Sequence, residues 1–394
     1  MREAPRSCQR RSYQRRSYQR RSYQRGRPVL GAIAAFAVVT LVASACGGSG
    51  PSGTDVDLGA GPAQVGTVKS GALKGVNMTF VSYGGIYQKG QQDSAIDPFA
   101  AASGATLVQD GPTDYAKLKA QVESNNVTWD VVDTGSVWAD AQCDKLLQPL
   151  DYSIIDKSKI PNGLATKCSV PAMQYGYVLA YNKTKFGGSP PTGWKDFFDT
   201  ARFPGKRGLN GDPTAAEPGA YEAALLADGV APDKLYPLDT ARAERVLDAA
   251  RPALVFWKTG AESQQLLESG EVDMAMLWSG RAYGAIKNGA PYAVQWNQFF
   301  PVMDTLTVPK GVRSPKAAMA LINYYLGATE QAKLTELTTY SPVNTDAKPQ
   351  LDELTSSFIT TTKARQDQAV PVDATWWAAN QDALLTHWSA WLGS

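Results

Sequence analysis

A single histidine, His387, occurs in 394 residues. A histidine-based metal centre is therefore excluded, as is any mechanism that needs two imidazoles. No Ser/His/Asp triad is expected either, because His387 lies in a Trp-rich C-terminal stretch where a structural role suffices. The four cysteines, Cys8, Cys46, Cys143 and Cys168, include no Cys-x-x-Cys pair, so a zinc site is not expected. No metal or cofactor is predicted from these residues. Long apolar runs are scarce. Residues 29–45, VLGAIAAFAVVTLVASA, form one uncharged run, and nothing after it approaches spanning length.

The charge of +2 is an average over two unlike segments. Residues 1–28 carry ten arginines and one acid, Glu3, in a five-residue repeat: SCQRR, SYQRR, SYQRR, SYQRG. So short a repeat builds no packed core, and its charges repel one another. From residue 46 onward 29 basic residues face 36 acidic ones, a net charge of −7. A nucleic-acid partner is not expected, because the basic excess is confined to the leader.

The order of basic stretch, apolar run and small residues is that of a secretory signal. Ala43, Ser44, Ala45 and Cys46 resemble a bacterial lipobox, which implies lipidation of Cys46 and anchoring at the outer face of the cell membrane. A short membrane anchor is the alternative. Residues 46–74 are rich in Gly, Ser and Pro and are expected to form a flexible tether. In an extracytoplasmic chain, Cys143 and Cys168 most simply pair with each other; two buried thiols are the alternative.

From residue 75 onward, strand patterns alternate with helical ones. Strands are predicted at 78–82, 129–132, 176–181, 272–278 and 305–308. Helices are predicted at 86–101, at 281–288 and from Pro315 to 326, with a further one capped by Thr113. This alternation implies an α/β protein with parallel sheets, and the length suits two lobes. Ligands of such sheets bind beyond the strand ends. Three predicted strand ends carry aromatic or small polar residues: Tyr83-Gly84-Gly85, Asp133-Thr134-Gly135-Ser136 and Trp278-Ser279-Gly280.

Six stretches in order are SYGGIYQ (82–88), YAKLKAQVESNNVTWDVVD (115–133), GYVLAYNKTKF (176–186), GWKDFFDTARFPGKRGL (193–209), ESGEVDMAMLWSGRAY (268–283) and MDTLTVPKGVRSPKAAMALINYYL (303–326). Together they resemble the spermidine/putrescine-binding proteins of ABC importers over nearly the whole mature chain. The resemblance implies a two-lobed periplasmic binding protein. Its interlobe crossovers should fall near 174–181 and 300–308, with a ligand cleft between the lobes. The lobes would be 75–178 with 305–340 and 179–304 with 341–394. It implies a monomeric receptor that hands a polyamine to permease subunits, and no enzyme. Motif matching assigns Tyr83, Ser136, Trp138, Trp278, Asp304 and Tyr340 to the ligand site. Asp212 and Glu217 are candidate amine-binding acids, and Trp376 is expected to approach from the C-terminal segment.

Two positions depart from the pattern. Val302 stands where the family commonly has an aromatic residue. Arg281 follows Trp278-Ser279-Gly280, and an arginine is unfavourable beside a polycation but suits a carboxylate. If Arg281 faces the ligand, the solute is an amino acid with separated charges such as 4-aminobutyrate, held by Asp304 at one end and Arg281 at the other. Ferric iron is a further alternative, for which Tyr324-Tyr325 offers a pair. Residues 188–195, GSPPTGWK, are no P-loop, because Trp194 occupies the lysine place.

Overall fold

The computed structural model describes residues 56–213 and 217–394. The leader, the signal and Cys46 lie outside the described residues. Eight strands form one sheet: β1 (Asn77–Val81), β2 (Thr106–Asp110), β3 (Val131–Gly135), β4 (Ser169–Asn182), β5 (Arg207–Asn210), β6 (Leu254–Trp257), β7 (Met274–Trp278) and β8 (Tyr292–Thr307). Their order is β2-β1-β3-β8-β4-β7-β5-β6.

The parallel pairing expected from strand–helix alternation holds within each half. β1 pairs in parallel with β2 and β3, and β5 with β6 and β7. The middle differs. β4 and β8 are long and antiparallel, running together from Ser169 opposite Thr307 to Asn182 opposite Tyr292. They are the two interlobe crossovers. Gly176 is needed there, because a β-carbon would lie 2.7 Å from the Phe299 ring.

Two hydrophobic cores flank these strands. One gathers Phe80, Phe99, Val131, Leu306 and Ile322; the other gathers Leu179, Trp194, Phe197, Leu277, Phe300 and Trp377. The chain leaves the first core between Tyr175 and Tyr177 and returns to it between Phe300 and Leu306. The protein is thus a mixed α/β, two-lobed fold with a cleft between its lobes.

Local chemistry refines the sequence reading. The helix predicted at 86–101 is Gly85–Gln91, a π-helical turn Gln92–Ile96 and Asp97–Ser103 in succession. Asp114, rather than Thr113, caps the helix Tyr115–Glu123, accepting from the Lys117 N–H at 2.9 Å. Thr113 instead donates to the Asp133 carbonyl. The flexible tether ends earlier than expected. Leu73 is fully buried, and Asn323 bonds the carbonyls of Gln64 and Thr67 at 2.9 and 3.1 Å. Val65, Val68 and Leu73, set among the glycines, supply the apolar surface that docks this segment. Cys143 and Cys168 form a disulfide, with 5.4 Å between their Cα atoms.

Candidate solute-binding cleft

A cavity of about 220 Å³ lies between the lobes. Each wall starts where a strand gives way to a helix. β1 ends at Val81; Tyr83 follows it, and Gly84 and Gly85 then take φ of 73° and 63° and turn the chain into the helix Gly85–Gln91. β3 runs into the helix Ser136–Gln142, which brings Ser136 and Trp138 to the cavity. β7 runs into the helix Ser279–Lys287, which brings Trp278 and Arg281. Asp304 lies on β8, paired with Gly135 on one side and Met173 on the other.

Of the ten ligand-site residues predicted, eight line this cavity: Tyr83, Ser136, Trp138, Glu217, Trp278, Arg281, Asp304 and Tyr340. Asp212 and Trp376 do not. Asp212 stands behind the wall, near enough for its negative charge to raise Glu217; its N–H bonds Asn210 and its carbonyl accepts from the Trp388 indole. Trp376 packs on Tyr236, with ring centroids 5.4 Å apart. At about 100° per helical residue, Trp376 lies opposite Leu385, which faces the cavity from the same helix, Ala374–Gly393. Val302 lines the cavity, so an aliphatic side chain fills that place. The Tyr324-Tyr325 pair lies away from it. Tyr324 packs on Phe99, and Tyr325 is buried and accepts from Gln91.

The sequence reading missed several lining residues: Tyr87, Tyr115, Tyr175, Gln142 and, from the C-terminal helix, Gln381, Asp382 and Leu385. Met173 and Tyr175 stand two positions apart on β4, so strand alternation could have marked them together. The C-terminal helix carried no such signal.

Much of the cavity wall is aromatic and acidic. Tyr115 stacks on Trp138, with centroids 4.2 Å apart and planes 11° off parallel. The Tyr115 hydroxyl meets that of Tyr83 at 2.8 Å and accepts from the Gly135 N–H at 3.0 Å. Asp304 is 6% exposed, and its nearest hydroxyl, that of Tyr175, is 3.4 Å away. Burial holds the Asp304 carboxyl well above the usual range, and the negative charges of Asp133 and Glu217 push it further. Burial likewise raises Glu217, against the opposing effect of a 2.6 Å hydrogen bond from the Tyr177 hydroxyl. Beneath the cavity, Asp133 is pushed up to about 7 by burial, although Tyr87 and Gln91 donate to it.

Arg281 brings a positive charge to the same cavity. The arginine–carboxylate pairs among the described residues are Arg202–Asp196 and Arg242–Asp228. Arg281 has none, and its buried Nε–H finds no acceptor. The Trp278 indole N–H also makes no hydrogen bond of good geometry, although it faces Glu217 closely enough to favour the carboxylate. A guanidinium without an anion and a group of acids without a cation thus share one cavity.

A two-lobed receptor for a small solute is the class that this fold and cleft define. Residues 94–366 match the model of the bacterial extracellular solute-binding protein family, and the chain belongs to that family. The gamma-aminobutyric acid-binding protein of Pseudomonas aeruginosa is 30% identical over 323 residues, covering 80% of this chain and 90% of that one. Spermidine/putrescine-binding periplasmic protein 1 of Haemophilus influenzae is 28% identical over 274 residues, covering 66% of this chain and 74% of its own length. A solved structure described as a GABA receptor superposes with a TM-score of 0.74 at 38% identity, covering 80% of this chain and 97% of that one. The protein is the solute-binding component of an ABC importer and acts outside the cytoplasm. Among the described residues no helix is long and apolar enough to cross a membrane.

Proposed function

We propose that the receptor captures a small zwitterion of the 4-aminobutyrate type, with ammonium and carboxylate at opposite ends, and delivers it to the permease without chemical change. The observation that carries this is Arg281, a guanidinium without an ion-pair partner in the same cavity as the buried acids Asp304 and Glu217. The ammonium would sit at Asp304, with the faces of Tyr83, Tyr175 and Trp278 adding cation–π attraction of about 0.5–2 kcal/mol each. The carboxylate would take the guanidinium fork. The GABA-binding relative and the GABA receptor structure support the same ligand class. A polyamine fits less well, because one of its ammonium groups would share the cavity with an unneutralised Arg281. Binding closes the hinged lobes. Lipid on Cys46 would hold the receptor at the membrane.

Calorimetric titration of the purified receptor with 4-aminobutyrate, putrescine and spermidine tests this reading. Tight binding of 4-aminobutyrate is expected, lost in both Arg281→Ala and Asp304→Asn. Tight binding of putrescine or spermidine alone, unaffected by Arg281→Ala, would replace the ligand class.

A further inference from the structure

Arg281 borders the cavity through a gap that a missing side chain leaves open. Gly260 opens the helix Gly260–Glu268, directly after its capping residue Thr259. A β-carbon on Gly260 would lie 2.5 Å from Arg281 Nε, 3.0 Å from Cζ and 2.8 Å from the Trp278 ring. Such approaches are far inside the optimum separation of non-bonded atoms. The Gly260 backbone is outside the left-handed region, so conformational freedom does not account for the glycine. Alanine is the better helix former at such a position. What glycine supplies here is space.

The two neighbours differ in how firmly they are held. The Trp278 ring is fixed by contacts with Trp257, Tyr175 and Tyr177 at centroid distances of 5.3, 6.4 and 6.2 Å. The Arg281 guanidinium has no ion pair among the described residues, and its Nε–H makes no hydrogen bond. A methyl group at position 260 would therefore displace the arginine sooner than the indole.

We propose that Gly260 is a specificity-determining residue: it makes the room that lets Arg281 present its charge to the cleft, and so decides between zwitterionic and purely cationic solutes. This rests on the carboxylate end assigned above. With a side chain at 260 the guanidinium moves away. Asp304, Glu217 and the aromatic walls then remain as a site for a diamine.

The test combines Gly260→Ala, Gly260→Ser, Arg281→Ala and the Gly260→Ala/Arg281→Ala double variant. Each is titrated with 4-aminobutyrate and with putrescine, and the ligand-free Gly260→Ala receptor is crystallised. Gly260→Ala should lose at least tenfold in 4-aminobutyrate affinity and hold or gain putrescine affinity, with the guanidinium displaced in the crystal. The double variant should bind no worse than Arg281→Ala alone. Gly260→Ser gives the same reading should the alanine variant misfold. Wild-type preference in Gly260→Ala, or a loss that adds in full to that of Arg281→Ala, overturns the inference. If the wild type takes no 4-aminobutyrate, the ligand reading fails separately. The crystal then decides for Gly260: an unmoved Arg281 overturns its role and a displaced one supports it.

Discussion

Asp304 stands directly opposite Gly135, on β8 and β3. The pairing fixes an acid of the crossover strand beside the first turn of the helix Ser136–Gln142. No side chain at 135 covers it, and the nearest atom to a β-carbon there would be the Tyr115 hydroxyl, at 3.4 Å. The acid that would receive the ammonium is thus placed by sheet register.

Solute capture should release protons. The Asp304 carboxyl is raised by burial and by its acidic neighbours, and a bound ammonium favours its ionised form. Binding therefore expels a proton wherever Asp304 is protonated in the empty receptor, and affinity falls as pH falls. Calorimetry in two buffers of different ionisation enthalpy, repeated from pH 8 down to pH 5, should show a net proton release that grows as pH falls. Asp304→Asn should abolish it; equal enthalpies in the two buffers for the wild type would contradict the assignment.

Asp133 should cost stability at neutral pH. Its carboxyl is raised from the ordinary value to about 7, so the folded chain keeps a proton that the unfolded chain has lost. Stability is then greatest below the unfolded value and declines as pH rises through about 7. Asp133→Asn keeps an acceptor for Tyr87 and Gln91 and adds a donor where the Asp133 Oδ1 and Ser82 Oγ atoms now lack partners. Calorimetric scans of the ligand-free variant should show a higher Tm than wild type at pH 8, and a much smaller gain at pH 5.

The disulfide ties the end of the helix Ser136–Gln142 to the residue before β4, across a sequence separation of 25. In the chain-entropy account such a loop contributes roughly 3 kcal/mol. Reduction, or Cys143→Ser with Cys168→Ser, should lower Tm by about 5–10 °C in thermal unfolding. An unchanged Tm would remove the bond from the stability account.

Trp377 holds a buried acid. Its indole N–H donates to Glu222 at 2.7 Å, beside the Tyr236 hydroxyl at 2.8 Å, and Glu222 in turn accepts from the Gly219 N–H. Trp377→Phe leaves part of that carboxylate unsatisfied and should cost about 1–3 kcal/mol in urea unfolding. Because Gly219 follows Glu217 and Pro218 at the cavity wall, ligand affinity should weaken as well.

Much of this was legible along the chain. Strand–helix alternation and the Tyr83, Ser136 and Trp278 turns marked the cleft, because the ends of strands are where such sheets leave backbone open. Strands β2, β5 and β6 went unread: β5 and β6 are only four residues long, and β2 is exposed or half-buried throughout, so no buried apolar run marks it. The extent of β4 and β8 was also underestimated. Long crossover strands that change cores midway, as β4 does between Tyr175 and Tyr177, do not keep one alternating pattern.

The sequence by itself determined the fold class, the availability of one cysteine pair and the list of aromatic and acidic residues from which a site could be built. These depend on composition, local periodicity and order. Tertiary structure alone decided which residues share the cavity. It brought Arg281 in, left Asp212 and Trp376 out of the lining, and added Leu385 from a helix that follows Arg281 by about a hundred residues. The reason is physical: a side chain's partner is set by sheet register and by the space neighbours leave, as Gly260 leaves it for Arg281, and neither quantity is a property of one segment read alone.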